Sequence, residues 1–168
     1  GFSNSEAAIV DAVRALLPPS VELRACKTNP IDYRIRGTAN DGRNQVLVIL
    51  RQLGLEGKGS ADKFIPDLYK FTKSAHRLAL LQGLLDADGG NSGHAVEYTT
   101  VSRQLADDVL FLVRSLGGTA AIASRQTRYS HRGEQRVGQV SYRLHLSLPG
   151  FIAPFRLPRK ANQYLPHT

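Results

Sequence analysis

The chain has 168 residues, 42% of them hydrophobic and 21% charged, a balance that excludes a disordered polypeptide and suits one compact domain or two small repeated units sharing a core. No apolar run approaches the roughly 18 residues of a membrane-spanning helix; the single cysteine, Cys26, excludes an internal disulfide framework and a cysteine-built zinc site, so a reducing cytoplasm is the expected compartment. The net charge is +8, and 16 of the 22 basic residues are arginine, which forks onto phosphate oxygens and guanine edges, so a polyanion is the expected partner.

In chain order, residues 5–17 read as a helix, with Ser3, Asn4 or Ser5 placed to cap it, Glu6 in its first turn and Pro18-Pro19 ending it. Residues 21–26 and 31–36 alternate as strands around an Asn29-Pro30 turn, with Arg34 and Arg36 on one face and Tyr33 and Ile35 on the other. Arg24, Lys27, Arg34 and Arg36 are the basic side chains of this first pair. Residues 45–53 carry Val46, Leu47, Val48, Ile49, Leu50 and Leu53 nearly all round, which predicts a well-buried helix. Glycines and small residues from 54 to 61 predict a linker holding Lys58 and leading to Lys63.

Residues 74–88 predict the central helix. Leu78, Leu81, Leu84 and Leu85 fall at helical spacing, while Ala79, Gly83 and Ala87 leave the other flank narrow enough for a second backbone to approach. The pattern stops at Asp86-Ala87-Asp88-Gly89-Gly90, with glycine where a left-handed cap is expected. Acids at a helix C-terminus meet the negative end of its dipole, at up to about 1 kcal/mol each. A divalent cation held by a carboxylate and a backbone carbonyl is the simplest offset.

Beyond it, residues 89–93 read as a loop and 94–100 as a strand, with Glu97 an acid near the motif; Ser102 caps a helix over 103–116 that Gly117-Gly118 ends. Asp107 and Asp108 are expected on that helix's solvated face. Residues 119–129 and 137–148 form a hairpin along which Arg125, Arg128, Arg132, Arg136 and Arg143 are distributed among Gln126, Tyr129, Gln135 and Gln139. A twisted two-stranded ribbon fits the DNA major groove, where Arg reads guanine and Gln reads adenine. Residues 149–152 start a short helix, and 155–160 are basic and proline-punctuated.

An internal repeat appears at a constant shift of 96, which pairs Phe2 with Tyr98, Asn4 with Thr100, Ile9 with Leu105, Asp11 with Asp107, Val13 with Val109 and Leu16 with Leu112. Tyr33-Arg34-Ile35 and Tyr142-Arg143-Leu144 are the matching later strands. Two copies of a helix-strand-strand unit predict pseudo-symmetry. The same shift places the first copy's acidic helix before Gly1.

Residues 81–89 resemble the LAGLIDADG homing endonucleases: Leu81, Gly83, Leu84, Asp86, Ala87, Asp88 and Gly89 agree with the family's nine-residue motif, and Leu85 replaces isoleucine. The resemblance implies an α+β fold in which a pseudo-two-fold repeat forms a saddle of antiparallel strands on double-stranded DNA. It also implies metal-dependent hydrolysis of phosphodiesters at a specific site. On it, Asp88 is catalytic and binds Mg²⁺ or Mn²⁺, the Gly89 carbonyl is a further metal ligand, and Asp86 supports the helix end. Lys63, in Asp62-Lys63-Phe64-Ile65-Pro66, matches the lysine that assists catalysis in intein-borne members. Residues 155–168 look like the return segment toward the splicing domain in inteins of replicative DNA helicases. The expected divisions are 1–56, a first half-repeat lacking its motif helix; 57–73, a linker; 74–154, the second repeat; and 155–168, the return segment. A monomer is expected over a homodimer. The competing reading is a DNA-binding module of the same descent that does not cut, with an RNA-binding maturase third.

Overall fold

The chain folds into two units, Gly1–Gly57 and Lys58–Thr168, in a computed structural model that describes residues 1–38, 43–92, 95–131 and 133–165. Arg132 of the hairpin and His94 of the predicted strand lie outside the described residues.

The first unit runs β1 (Phe2–Ser3), α1 (Ala7–Leu16), β2 (Val21–Ala25), β3 (Asp32–Gly37) and α2 (Gln45–Gln52), with an antiparallel sheet in the order β1-β3-β2. Helix α1 starts two residues late. Its N-cap is Glu6, which makes no side-chain cap; Asn4 acts one step earlier, its Oδ1 accepting from the Glu6 amide at 2.8 Å. Register sets Arg24 directly opposite Arg34 and Glu22 opposite Arg36, so these basic side chains share one face, opposite the buried Val21 and Leu23. The expectation that residues 45–53 are well buried fails. No residue of α2 is buried, and Leu47, Val48 and Ile49 are 40, 44 and 48% exposed. An all-round apolar sequence states what a helix would gain by burial, and the small core of this unit, Val10, Val21 and Leu23, cannot surround it.

The second unit contains α3 (Asp67–Lys70), α4 (Ser74–Asp88), β4 (Gly89–Ser92), β5 (Ala95–Thr100), α5 (Arg103–Ser115), β6 (Thr119–His131), β7 (Glu134–Ser147) and α6 (Pro158–Ala161). Its antiparallel sheet has the order β4-β5-β7-β6, so β5-β7-β6 repeats the order β1-β3-β2 of the first unit. The repeat reaches single hydrogen bonds. Thr100, at Asn4 plus 96, accepts from the Ser102 amide through Oγ1 at 3.1 Å, as Asn4 does from Glu6. Ser102 then caps α5 as expected, its Oγ accepting from the Leu105 amide at 3.1 Å. Leu81 and Leu85 of α4, Val96 and Tyr98 of β5, Leu105, Val109 and Leu112 of α5, and Leu144 and Leu146 of β7 form one buried cluster with Ile65 and Phe155.

Residues 58–73 are mostly exposed but are tied to the core at a few points. Ser60–Asp62 form a 3₁₀ turn, Ile65 is buried in the core, and the Lys63 carbonyl accepts from Ser102 Oγ at 2.6 Å. Asp108 holds this segment. Its placement on a solvated face is wrong: the side chain is 3% exposed and accepts from the Ile65 amide at 2.7 Å, Lys70 Nζ at 2.8 Å and Gln104 Nε2 at 3.0 Å. Spacing held the signal, since Asp108 falls at the helical interval of Leu105 and Leu112. Its neighbour Asp107 is solvated, bonded only at the surface to Arg103.

Candidate functional site around the acid-ended helix

Helix α4 forms over the predicted residues, 74–88, because its apolar positions keep one period from Leu78 to Leu85 and the chain beyond cannot continue it. Leu81 and Leu85 are fully buried, while Ala79, Gly83 and Ala87 are exposed, and a Cβ built on Gly83 would meet nothing within 4 Å. The narrow flank is therefore open. The left-handed cap expected at Gly89 is absent: its φ of −82° and ψ of 161° are extended, and the chain passes straight into β4 where residues 89–93 predict a loop. Glycine is required there for room, since a Cβ would lie 2.6 Å from the Leu85 carbonyl oxygen and 2.8 Å from Leu85 Cα.

The two motif acids have separate surroundings. Asp86 accepts from the Arg156 amide through both carboxylate oxygens, at 3.1 and 3.2 Å, and from the Leu157 amide at 3.1 Å. Asp88 ends the helix exposed to solvent. Its charge, after burial as the larger cause, helps to push the Tyr98 hydroxyl up to about 12.

A cation of the chain's own stands at the helix end. Lys160, 6% exposed, donates from Nζ to the carbonyls of Leu85 at 2.9 Å, Asp86 at 2.7 Å and Gly89 at 2.6 Å, with its ammonium 5.8 Å from the Phe155 ring centre. Gln82 Nε2 donates to the Ala153 carbonyl at 2.8 Å. Residues 153–161 thus strap the motif helix and do not depart as a tail; the short helix expected at 149–152 forms instead at Pro158–Ala161. Nothing in the sequence separates Lys160 from Arg159 beside it except helical phase.

These contacts decide how the site suits a divalent ion. Asp88 fits as one oxygen ligand for a hard ion that retains most of its water. Gly89 does not, because an ammonium already holds its carbonyl oxygen. Among the described residues no three His, Cys, Asp or Glu side chains gather as a metal site. Lys63 has an exposed side chain on a backbone fixed by Ser102.

The second unit's sheet presents an open face opposite the core. Val96, Tyr98, Leu144 and Leu146 point inward, so Glu97, Arg143 and His145 point out, Glu97 lying 3.3 Å from His145 Nδ1. On β6, Arg125 shares this outward face with Ala121 and Ala123. Between the pairs Gln126↔Val140 and Arg128↔Val137, the register advances two residues on β6 and three on β7, so β7 carries one extra residue. That bulge reverses its alternation and turns Arg136 to the face of Arg125 and Arg143. Arg128 falls on the other face, beyond the end of the core. In the first unit, Arg24, Lys27, Arg34 and Arg36 together line an open hollow of about 330 Å³.

An acid-ended helix lying on an antiparallel sheet with a basic open face defines a class. Residues 75–146 match the model of the LAGLIDADG-like domain, and the α+β architecture is the one its motif implies. Over 113 residues, 67% of the chain, the sequence is 34% identical to a replicative DNA helicase DnaB of Mycobacterium intracellulare, of which it spans 18%. Over 120 residues it is 35% identical to an ATP-dependent DNA helicase Hel308 of Thermococcus kodakarensis, of which it spans 11%. The chain thus covers less than a fifth of either relative. Among solved structures it is similar to a variant of I-DmoI in complex with its target DNA in the presence of magnesium, at 18% identity, a TM-score of 0.33, and coverage of 76% of this chain and 80% of that one.

Proposed function

We propose that this chain is the DNA-cleaving part of a homing endonuclease borne on an intein of a DNA helicase, hydrolysing phosphodiesters of double-stranded DNA with Mg²⁺ or Mn²⁺. The observation that carries the reading is Asp88, a solvent-facing carboxylate on the last residue of a helix whose acids are otherwise engaged, within the family match. Two relatives are named as DNA helicases, yet the chain contains no G-x-x-x-x-G-K-[ST] phosphate loop, which fits a segment inserted into such a protein and not its motor.

In this reading Arg125, Arg136 and Arg143, with Arg24, Lys27, Arg34 and Arg36, hold the DNA backbone and read base edges. Asp88 binds the ion, and Lys63 offers a positive charge to the scissile phosphate from a fixed backbone. The ion, when bound, lowers the pKa of a coordinated water and stabilises the leaving 3′ oxygen. Asp86 takes no part in this chemistry, its oxygens being committed to the strap. Residues 155–168 would lead toward the splicing domain of the intein after crossing the motif helix.

The test is cleavage of a helicase gene lacking the intein, with Mg²⁺, by the wild type and Asp88→Asn. Loss of at least about 10³-fold in rate with binding retained is expected for removal of a metal-bearing carboxylate. Tight binding with no nicking by the wild type at any metal concentration would leave the second reading, a DNA-binding module that does not cut.

A further inference from the structure

The helix end that carries Asp88 has three backbone carbonyls converging on one point, and a lysine ammonium occupies it. Lys160 Nζ lies 2.6 to 2.9 Å from the carbonyl oxygens of Leu85, Asp86 and Gly89, inside a shell closed by the Phe155 ring. Short charge-assisted bonds to two carbonyls of the helix's last turn, and a third to the residue that follows it, neutralise the negative end of its dipole. The lysine is delivered by the strap, whose own backbone amides at 156 and 157 are gripped by Asp86. Asp86 and Lys160 are therefore two halves of one clasp: the helix gives a carboxylate to the strap, and the strap returns an ammonium to the helix.

We propose that Lys160 is a positioning residue that takes the place a divalent ion would otherwise have at these carbonyls. It holds Asp88 in position before any metal arrives and confines the metal to carboxylate and water ligands. The part that concerns Asp88 deepens the reading of that residue as the metal-binding carboxylate. Without the ammonium, the three carbonyls, which flank Asp88 along the chain, become an oxygen-rich set of the kind hard cations bind.

The experiment is thermal unfolding of the whole chain, without DNA, in EDTA and in millimolar Mg²⁺. The wild type is expected to gain little from Mg²⁺, which meets only one carboxylate and water there. Lys160→Met is expected to melt lower by roughly 5 °C or more in EDTA, since it leaves buried carbonyls unpaired. Mg²⁺ should restore part of that loss, and should restore none of it in the double variant Lys160→Met, Asp88→Asn.

A Lys160→Met chain that Mg²⁺ stabilises no more than it does the wild type overturns the proposal, as does a rescue that survives in the double variant. If Lys160→Met does not fold, Lys160→Gln decides in its stead. Its neutral amide has two N–H donors for three oxygens and carries no charge, so it should melt below the wild type and respond to Mg²⁺, and failure to do either overturns the proposal. None of these measurements uses DNA, so they can fail while the nuclease reading stands, and the reverse.

Discussion

Asp86 and Asp88 stand two residues apart on one helix and have opposite fates, and the cause is which backbone amides lie within reach. Asp86 accepts from the amides of residues 156 and 157; Asp88 is exposed to solvent, its charge felt at the Tyr98 hydroxyl. Tyr98 is 3% exposed, and burial, then the nearby carboxylate, raise its hydroxyl to about 12. The sign follows directly. The unfolded chain releases this proton near pH 10, the folded one near 12, so the contribution to stability is complete below pH 10 and is lost as the pH climbs toward 12. At full size it is about 3 kcal/mol. Asp88→Asn removes the smaller cause and leaves burial, so Tyr98 should ionise at a lower pH than in the wild type yet still above 10. The difference in tyrosinate absorbance between each protein and its Tyr98→Phe counterpart measures this; an unchanged midpoint would mean that Asp88 does not sit beside Tyr98.

At the scale of elements, α5 anchors the segment that leads to the motif helix. Asp108 supplies three acceptor contacts to Ile65, Lys70 and Gln104, and with Asp67 it holds the Lys70 ammonium above its ordinary range. Asp108→Ala leaves a mostly buried ammonium with a single exposed partner and should destabilise the chain by about 3 kcal/mol. Asp107→Ala, one residue away, removes only a surface pair with Arg103 and should cost under about 0.5 kcal/mol. Urea midpoints of the two variants give the comparison, and equal midpoints would refute the anchoring role. The contrast also marks what a sequence discloses. Helix α4 and its ends, the Ser102 cap and the basic hairpin were legible because periodicity, capping chemistry and alternation are local. Lys160 was not, because its partners lie more than 70 residues away; nor was the exposure of Leu47, Val48 and Ile49, which depends on what surrounds α2 and not on α2 itself.

Over the whole molecule, charge is placed against the interest of folding. The chain carries +8, and in the first unit Arg24 stands directly across the strand pair from Arg34, a like-charge opposition that weakens a sheet. Glu22 relieves it in part, its carboxylate 2.6 Å from Arg24 Nη2, which leaves Arg34 as the exposed excess charge. Such an arrangement is explained when a polyanion supplies the missing negative charge. Binding to double-stranded DNA should then fall steeply with salt, log K against log salt having a slope of about −0.9 for each phosphate neutralised. Arg34→Ser separates function from stability at a single site: the slope should shrink by about 1, while the melting temperature of the free chain stays level or rises as the repulsion is relieved. Binding isotherms at several salt concentrations, with a melt of each protein, decide it. A variant that loses stability and keeps the wild-type slope would assign Arg34 to the fold and remove it from the DNA interface.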